Sequence, residues 1–309
     1  MRVLVAGATG AIGRPLIHGL KQHGHGVFGL VRSAESTGML TEMGAEALIG
    51  DALDAASVWA AVVRVRPDAV INELTALPRH YTPAEMKAAA DRDRKVRGEG
   101  NVNLLAVMRQ AGVRRYVLQS SGFWYAPGPG LADESSLLAV DASPGVAAGA
   151  RTYFDLESTA FRVFEIDCVA MRYGFFYGPG TWFTNAGDMG EQVRRQQVPV
   201  IGAGQGVASF VHIEDAASAT ITALECAPGP YNIVDDNPSQ QRVWLQAFAR
   251  ACAAPEPIQI TEQEALATSG ADSVYYATRL RGASNEKARH ELNFRPRPLE
   301  WLQSRVVPV

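Results

Sequence analysis

Short apolar runs alternate with segments in which apolar residues recur every three to four positions, and this rhythm holds through the first half of the 309-residue chain. Runs at 3–6, 26–31, 47–49, 69–74, 116–119 and 168–172 read as strands. Helical spacing predicts helices near 12–23, 35–43, 54–65, 83–111 and 152–165. Strand–helix–strand repetition of this kind predicts an α/β fold built on a parallel, doubly wound sheet. Residues 122–150 interrupt the rhythm with Gly, Pro, Ser and Ala and read as a long loop over an active-site face. Beyond 172 the pattern changes. Residues 173–205 are dense in aromatics and glycine, 207–226 return to a strand and a helix, and a mixed α/β tail follows from about 230. There is no internal repeat.

The first strand–helix junction carries the strongest chemical signal. Val3–Ala6 breaks into glycines at Gly7, Gly10 and Gly13, and a helical pattern begins at once (Ile12, Leu16, Ile17, Leu20). Gly7 lets the chain turn sharply out of the strand. Gly10 removes a side chain where backbone N–H groups approach a pyrophosphate. Gly13 lets the helix lie close on the sheet, with its partially positive N-terminus facing the phosphates. Such a turn points to a bound dinucleotide.

Composition narrows the classes. A net charge of −3 gives no electrostatic case for nucleic acid or an anionic membrane. Cys168, Cys226 and Cys252 are far apart and odd in number, which suits reduced thiols in a cytoplasmic protein and implies neither a metal site nor a disulfide framework. No apolar run reaches the length of a membrane span, and the chain enters its first strand without a signal peptide.

The glycines run G-x-x-G-x-x-G, and this spacing resembles the extended and atypical branches of the short-chain dehydrogenase/reductase superfamily, often labelled the NAD-dependent epimerase/dehydratase family. Four further segments carry the resemblance. Arg172-Tyr-Gly-Phe-Phe-Tyr-Gly-Pro-Gly resembles R-P-x-x-x-Y-G-P-G, and Phe210-Val-His-Ile-Glu-Asp-Ala-Ala resembles F-I-H-V-D-D-V-A. Gly229-Pro-Tyr-Asn-Ile-Val-Asp resembles G-x-Y-N-V-G, and Lys287-Ala-Arg-His-Glu-Leu-Asn-Phe-Arg-Pro resembles K-A-x-x-x-L-G-W-x-P. The resemblance implies a Rossmann-type domain over 1–172, to which 207–226 return. It implies a smaller, discontinuous substrate-binding lobe over 173–206 and 227–309. It also implies a small-molecule substrate and a homodimer.

The same resemblance implies a cofactor-binding set of Gly7, Thr9, Gly10, Ala11, Ile12, Gly13, Arg32, Asp51, Ala52, Leu74, Thr75, Ser120, Tyr153, Tyr173 and Phe176. NAD-specific members place a carboxylate at the end of the second strand to bind the ribose hydroxyls. Here that strand ends Leu30-Val-Arg-Ser, and a guanidinium at Arg32, with Arg14 nearby, suits the 2′-phosphate of NADP; NAD is the alternative. Asp51 matches the family's adenine-binding aspartate and also suits a helix N-cap. Thr75 reads equally as a ligand and as a turn residue.

The family's catalytic Ser, Tyr and Lys are only partly present. Leu118-Gln-Ser-Ser-Gly-Phe-Trp-Tyr resembles the family's S-S-x-x-x-Y strand end and assigns the serine to Ser121, with Ser120 as the alternative register. None of the four lysines (Lys21, Lys87, Lys95, Lys287) follows a tyrosine by four. Two registers fit Arg151-Thr-Tyr-Phe-Asp-Leu-Glu. In one, Tyr153 takes the tyrosine place and Glu157 the lysine place. In the other, Glu157 matches a family glutamate further down the helix, which puts Tyr153 in the lysine place and Gly149 in the tyrosine place. Tyr153-Phe-Asp-Leu-Glu also resembles the Y-Y-x-x-E of progesterone 5β-reductases and iridoid synthases. The lysine that those enzymes carry in the loop after the fifth strand is Phe123 here. Ser121 and Tyr153 are therefore the candidate catalytic pair. Phe123, Trp124, Tyr125, Tyr177 and Trp182 are the candidate substrate wall, suited to a small apolar acceptor.

Together these features predict an NADPH-dependent reductase of a carbonyl or conjugated enone. The alternatives are a redox-neutral nucleotide-sugar epimerase or dehydratase, and a non-catalytic NADP-binding sensor.

Overall fold

The computed structural model describes residues 1–303. Its first part runs β1 (Arg2–Ala6), α1 (Gly13–Gln22), β2 (Gly26–Val31), α2 (Glu35–Glu42), β3 (Glu46–Ile49), α3 (Ala55–Val65), β4 (Ala69–Asn72), α4 (Pro83–Ala111), β5 (Arg115–Ser121), α5 (Pro144–Phe161) and β6 (Asp167–Tyr173). It continues with β7 (Phe175–Tyr177), α6 (Asp188–Arg194), β8 (Val200–Ile201), β9 (Val207–Ala208), β10 (Phe210–His212), α7 (Ile213–Thr222) and β11 (Gly229–Ile233). The tail adds β12 (Ser239–Gln240), α8 (Gln241–Ala251), β13 (Gln259–Ile260), α9 (Glu262–Thr268), α10 (Gly270–Thr278), α11 (Glu286–Glu291) and α12 (Glu300–Gln303).

The central sheet has the order β11-β6-β5-β4-β1-β2-β3, and every pairing in it is parallel. Val3, Leu4 and Val5 are fully buried, because helices cover both faces of the sheet. On one face α1 and α7 share a core with Tyr173, Ile233 and the segment Ala288–Phe294. On the other, α3, α4 and α5 pack through Val62, Leu104, Met108 and Leu156. Strand order reverses between β1 and β4, and ligands of doubly wound sheets bind in the crevice outside the strand ends at that switch point. A second core, with Phe183, Phe210, Trp244, Phe248 and Trp301, organises the smaller lobe.

Two boundaries differ from expectation. α5 begins at Pro144, eight residues before 152, so the loop after β5 is shorter than 122–150. Its first turn is glycine- and alanine-rich, a weak helical signal, and is held from outside. The Asp272 carboxylate on α10 accepts from the N–H groups of Gly145 and Val146 at 3.0 and 3.3 Å. An anion at a helix N-terminus stabilises those unpaired donors. Second, β11 adds to the sheet beside β6, so the Rossmann unit reclaims residues 229–233 from the segment assigned to the lobe.

One buried ion pair ties three of these elements together. Arg172, at the end of β6, donates from Nε and Nη2 to the two carboxylate oxygens of Glu157 on α5 at 2.8 and 2.7 Å. Ser120 of β5 donates to Glu157 Oε1 at 2.5 Å, and Arg172 Nη1 donates to Tyr125 Oη at 3.0 Å. Both charged side chains are 8 % exposed, so removing one partner leaves the other buried and unpaired. Glu157→Ala should cost about 3–5 kcal/mol of unfolding free energy, read as a lowered urea midpoint.

Candidate cofactor and active site

The loop between β1 and α1 is drawn tightly under the end of β4. Gly7 has φ +87°, and a Cβ there would lie 2.3 Å from the Glu73 carbonyl oxygen. A Cβ on Gly13 would lie 2.4 Å from the carbonyl oxygen of Ala8, so both glycines are required by backbone proximity. Gly10 and Ala11 are exposed, Thr9 is half-buried, and Ile12 is buried beneath the loop. The first turn of α1 has no side-chain cap and no acidic residue. Within that turn Arg14 N donates to Gly10 O at 3.4 Å and Leu16 N to Ile12 O at 3.0 Å, so the glycine cradle and the partially positive end of the helix are what fit a pyrophosphate.

At the adenosine end, Arg32 is exposed at the end of β2 and makes no ion pair among the described residues. Asp51 is exposed, and its Oδ1 accepts from Leu53 N at 3.0 Å. The cap of α3 is Asp54 instead, which leaves Asp51 outside the helix. Ala52 is buried and its carbonyl accepts from Asn103. Leu74 donates its N–H to Asn72 Oδ1, and Thr75 is exposed. A surface cavity of about 510 Å³ lies between α4 and α5, lined among others by Leu53, Gly98, Val102 and Asp155.

The reacting end is built around α5. Tyr153 is buried and its hydroxyl has no hydrogen-bond partner among the described residues. Burial pushes its pKa up to about 12, opposed by the nearby Arg97 guanidinium. This phenol is a neutral donor at physiological pH. Ser121 is buried at the end of β5, where its Oγ accepts from Phe123 N at 3.5 Å. The Trp124 ring centre lies 5.3 Å from that of Tyr153.

One turn before Tyr153, Gly149 lies directly beneath Trp124, and a Cβ there would sit 2.4 Å from the indole. One turn after Tyr153, Glu157 forms the pair with Arg172. The space beside Gly149 is thus taken by Trp124 from the β5 loop.

The candidate substrate wall divides. Phe123 and Trp124 are half-buried and continue into a line of rings: Phe123 stacks on Phe175 at 4.2 Å, Phe175 meets Tyr276 edge-on, and Trp124 Nε1 donates to Tyr276 Oη at 2.7 Å. Trp182 is half-buried, stacks on Tyr81 at 4.7 Å and donates to Arg79 O. The loop carrying Tyr81 is pinned to the lobe by Asp188, which takes His80 Nδ1 at 2.8 Å and Tyr81 N at 2.7 Å. Phe176 is half-buried against Tyr173.

Four assignments move into the interior. Tyr125 is fully buried and donates to Asn232 at 2.5 Å, so it braces β11 instead of lining a cleft. Tyr177 is 1 % exposed and packs on His212 and Trp301 in the lobe core. Ser120 is committed to Glu157. Tyr173 is 2 % exposed and sends its hydroxyl to Glu73 at 2.9 Å and to Thr220 at 2.6 Å.

Sequence reasoning passed over Arg97 and Glu73. Arg97 lies among charged residues of α4 with only the Asp93 spacing to mark it, yet it is 5 % exposed. Glu73 follows β4 directly and is 3 % exposed, with Oε2 lacking any partner. Burial pushes its pKa up to about 8, against smaller lowering by Tyr173 and Arg97.

Two measurements follow from these placements. An alanine at 149 gains about 1 kcal/mol of helix propensity. It meets an indole fixed by Tyr276, however, and overpacking costs about 1–3 kcal/mol. Gly149→Ala should therefore shift tryptophan fluorescence and lower stability. For Glu73, the folded chain holds a proton between its ordinary pKa of 4.5 and about 8 that the unfolded chain has released. Its contribution to stability therefore falls as pH rises through that window and levels off above it. Urea unfolding of Glu73→Gln at stepped pH should lack that slope.

The profile of the NAD dependent epimerase/dehydratase family matches residues 3–234. A 3-diazoavenalumate denitrifying reductase from a Streptomyces species is 38 % identical over 306 residues, covering 97 % of this chain and 98 % of that protein. A 2-alkyl-3-oxoalkanoate reductase from Stenotrophomonas maltophilia is 26 % identical, covering 82 % of this chain and 77 % of that one. Among solved structures, the UDP-glucose 4-epimerase of Thermotoga maritima with UDP-glucose superposes with a TM-score of 0.76 at 18 % identity, covering 98 % and 96 % of the two chains. The Thermus thermophilus UDP-glucose 4-epimerase in complex with NAD gives 0.71 at 24 %, covering 96 % and 94 %. With the family profile spanning the glycine loop, the strand ends and β11, this chain belongs to the NAD-dependent epimerase/dehydratase family.

Proposed function

We propose that the protein is an NADPH-dependent reductase acting on the carbonyl or conjugated enone of a small, flat, apolar substrate. The observation that carries this reading is the unpartnered Tyr153 hydroxyl beside the half-buried rings of Phe123 and Trp124. Aromatic faces favour a planar apolar ligand through burial and stacking. A bound nicotinamide supplies the hydride. Tyr153, kept protonated by its burial, donates a hydrogen bond to the substrate oxygen on which negative charge develops, with Ser121 as the second hydroxyl. Two of the curated relatives, the 3-diazoavenalumate denitrifying reductase and the 2-alkyl-3-oxoalkanoate reductase, are named as reductases, and the first covers nearly the whole chain. The exposed Arg32, with no carboxylate beside it at the end of β2, supports NADPH over NADH.

Purified protein should oxidise NADPH with at least one member of a panel of aryl ketones, 3-oxo acids, quinones, enones and aromatic diazo acids. Tyr153→Phe should lower kcat by about 10²–10⁴-fold, the usual range for a lost general acid. Arg32→Ala should weaken NADPH by one to two decades, from about 1.5–3 kcal/mol for a charge-assisted contact, and leave NADH unchanged. Turnover of UDP-glucose without net NADPH consumption would replace this reading with the redox-neutral one.

A further inference from the structure

We propose that Arg97 is a positioning residue for Tyr153, supplying from α4 the positive charge that a Tyr-x-x-x-Lys lysine brings elsewhere in the family. The inference rests on the role given to Tyr153 above. Its geometry is independent of any substrate. The Arg97 guanidinium carbon lies 5.0 Å from the Tyr153 ring centre, over the face of the ring. Nε donates to Asp93 Oδ2 at 2.7 Å and Nη1 to Gln119 Oε1 at 2.8 Å, so the plane of the group is fixed from two sides.

No lysine competes for the part. Lys95 is exposed and lies near Glu99, Lys287 donates to the Pro230 carbonyl, and Lys21 and Lys87 are exposed on α1 and α4. The charged and titratable groups acting on Tyr153 are Arg97 and Asp93 from α4, Glu73 beyond β4, and Tyr276 from α10. Tyr276 is neutral, and the buried Glu73 holds its proton up to about pH 8. Asp93 engages the guanidinium at Nε only. Among these charges the Arg97 guanidinium acts on the tyrosine more strongly than either the Asp93 or the Glu73 carboxylate, which oppose it.

A cation beside a phenol favours the phenolate and strengthens the neutral phenol as a donor, because it stabilises the charge that a proton shift leaves behind. A guanidinium does this without the risk of losing its own proton in a buried site. Arg97 thus resolves the apparent defect at Glu157. That carboxylate is spent on Arg172, and the cation reaches the tyrosine from a different helix.

The test is a titration that uses no acceptor. Full-length protein carrying 3,5-difluorotyrosine at position 153, whose phenol is more acidic, is followed by fluorine NMR against pH with Arg97, Arg97→Lys and Arg97→Met. Arg97→Met should raise the titration midpoint by about one to three units, the range for one neighbouring opposite charge. Arg97→Lys should restore at least half of the difference. Asp93→Asn, which removes the counter-charge and leaves Arg97 in place, should lower the midpoint. It decides the matter if Arg97→Met fails to fold by near-ultraviolet circular dichroism. An unchanged midpoint in Arg97→Met, equal shifts in the lysine and methionine variants, or an unchanged or raised midpoint in Asp93→Asn would each overturn the proposal. An inert acceptor panel would instead sink the reductase reading and leave this titration standing.

Discussion

The bidentate pair between Arg172 and Glu157 is the constraint from which the arrangement of the reacting end follows. It locks α5 to the end of β6 in one register, and α5 carries Gly149 and Tyr153 two turns and one turn before the glutamate. Ser120 brings β5 into the same network, and Tyr125 extends it to Asn232 on β11. Burying two charges costs desolvation that their attraction repays only with good geometry, so such a pair is weak evidence for stability. Its effect here is specificity of placement. Any rotation of α5 would strand a buried guanidinium, and the helix face turned toward the strand ends is thereby decided.

With that face set, the two halves of the crevice differ in how they are made. The phosphate end is backbone: Gly7 and Gly13 allow contacts that no side chain permits, and the partially positive end of α1, free of any acidic residue, does the rest. The reacting end is side chain, and mostly aromatic. Trp124 fills the space beside Gly149, Tyr153 lies one turn further along α5, and the cation near that tyrosine comes from α4. Each placement makes sense only with the others. Glycine at 149 admits the indole, the indole and Arg97 flank Tyr153, and Tyr276 from the lobe holds the indole in place.

What could be read from the chain followed the range of the interactions involved. α4 was anticipated at 83–111 because its limits are local: the Thr82 side chain accepts from Glu85 N, Pro83 opens the first turn, and Gly112 closes the last in the left-handed conformation. The start of α5 was missed because its anion is Asp272, more than a hundred residues away. Tyr125 and Tyr177 have the composition of a substrate wall, but partners distant in sequence take them into the interior: Asn232 and Arg172 for the first, His212 and Trp301 for the second. Arg97 carried no sign of burial, since its neighbours on α4 are the charged residues of a solvated helix.

By itself the sequence determined the doubly wound sheet, the glycine cradle at its switch point and the absence of a tyrosine–lysine pair, since each rests on spacing or residue type within a short stretch. Only the tertiary structure decided where α5 begins, which aromatics are taken into the interior and which cation meets Tyr153. Those outcomes depend on burial and on partners from β6, α4 and α10 that no local pattern encodes.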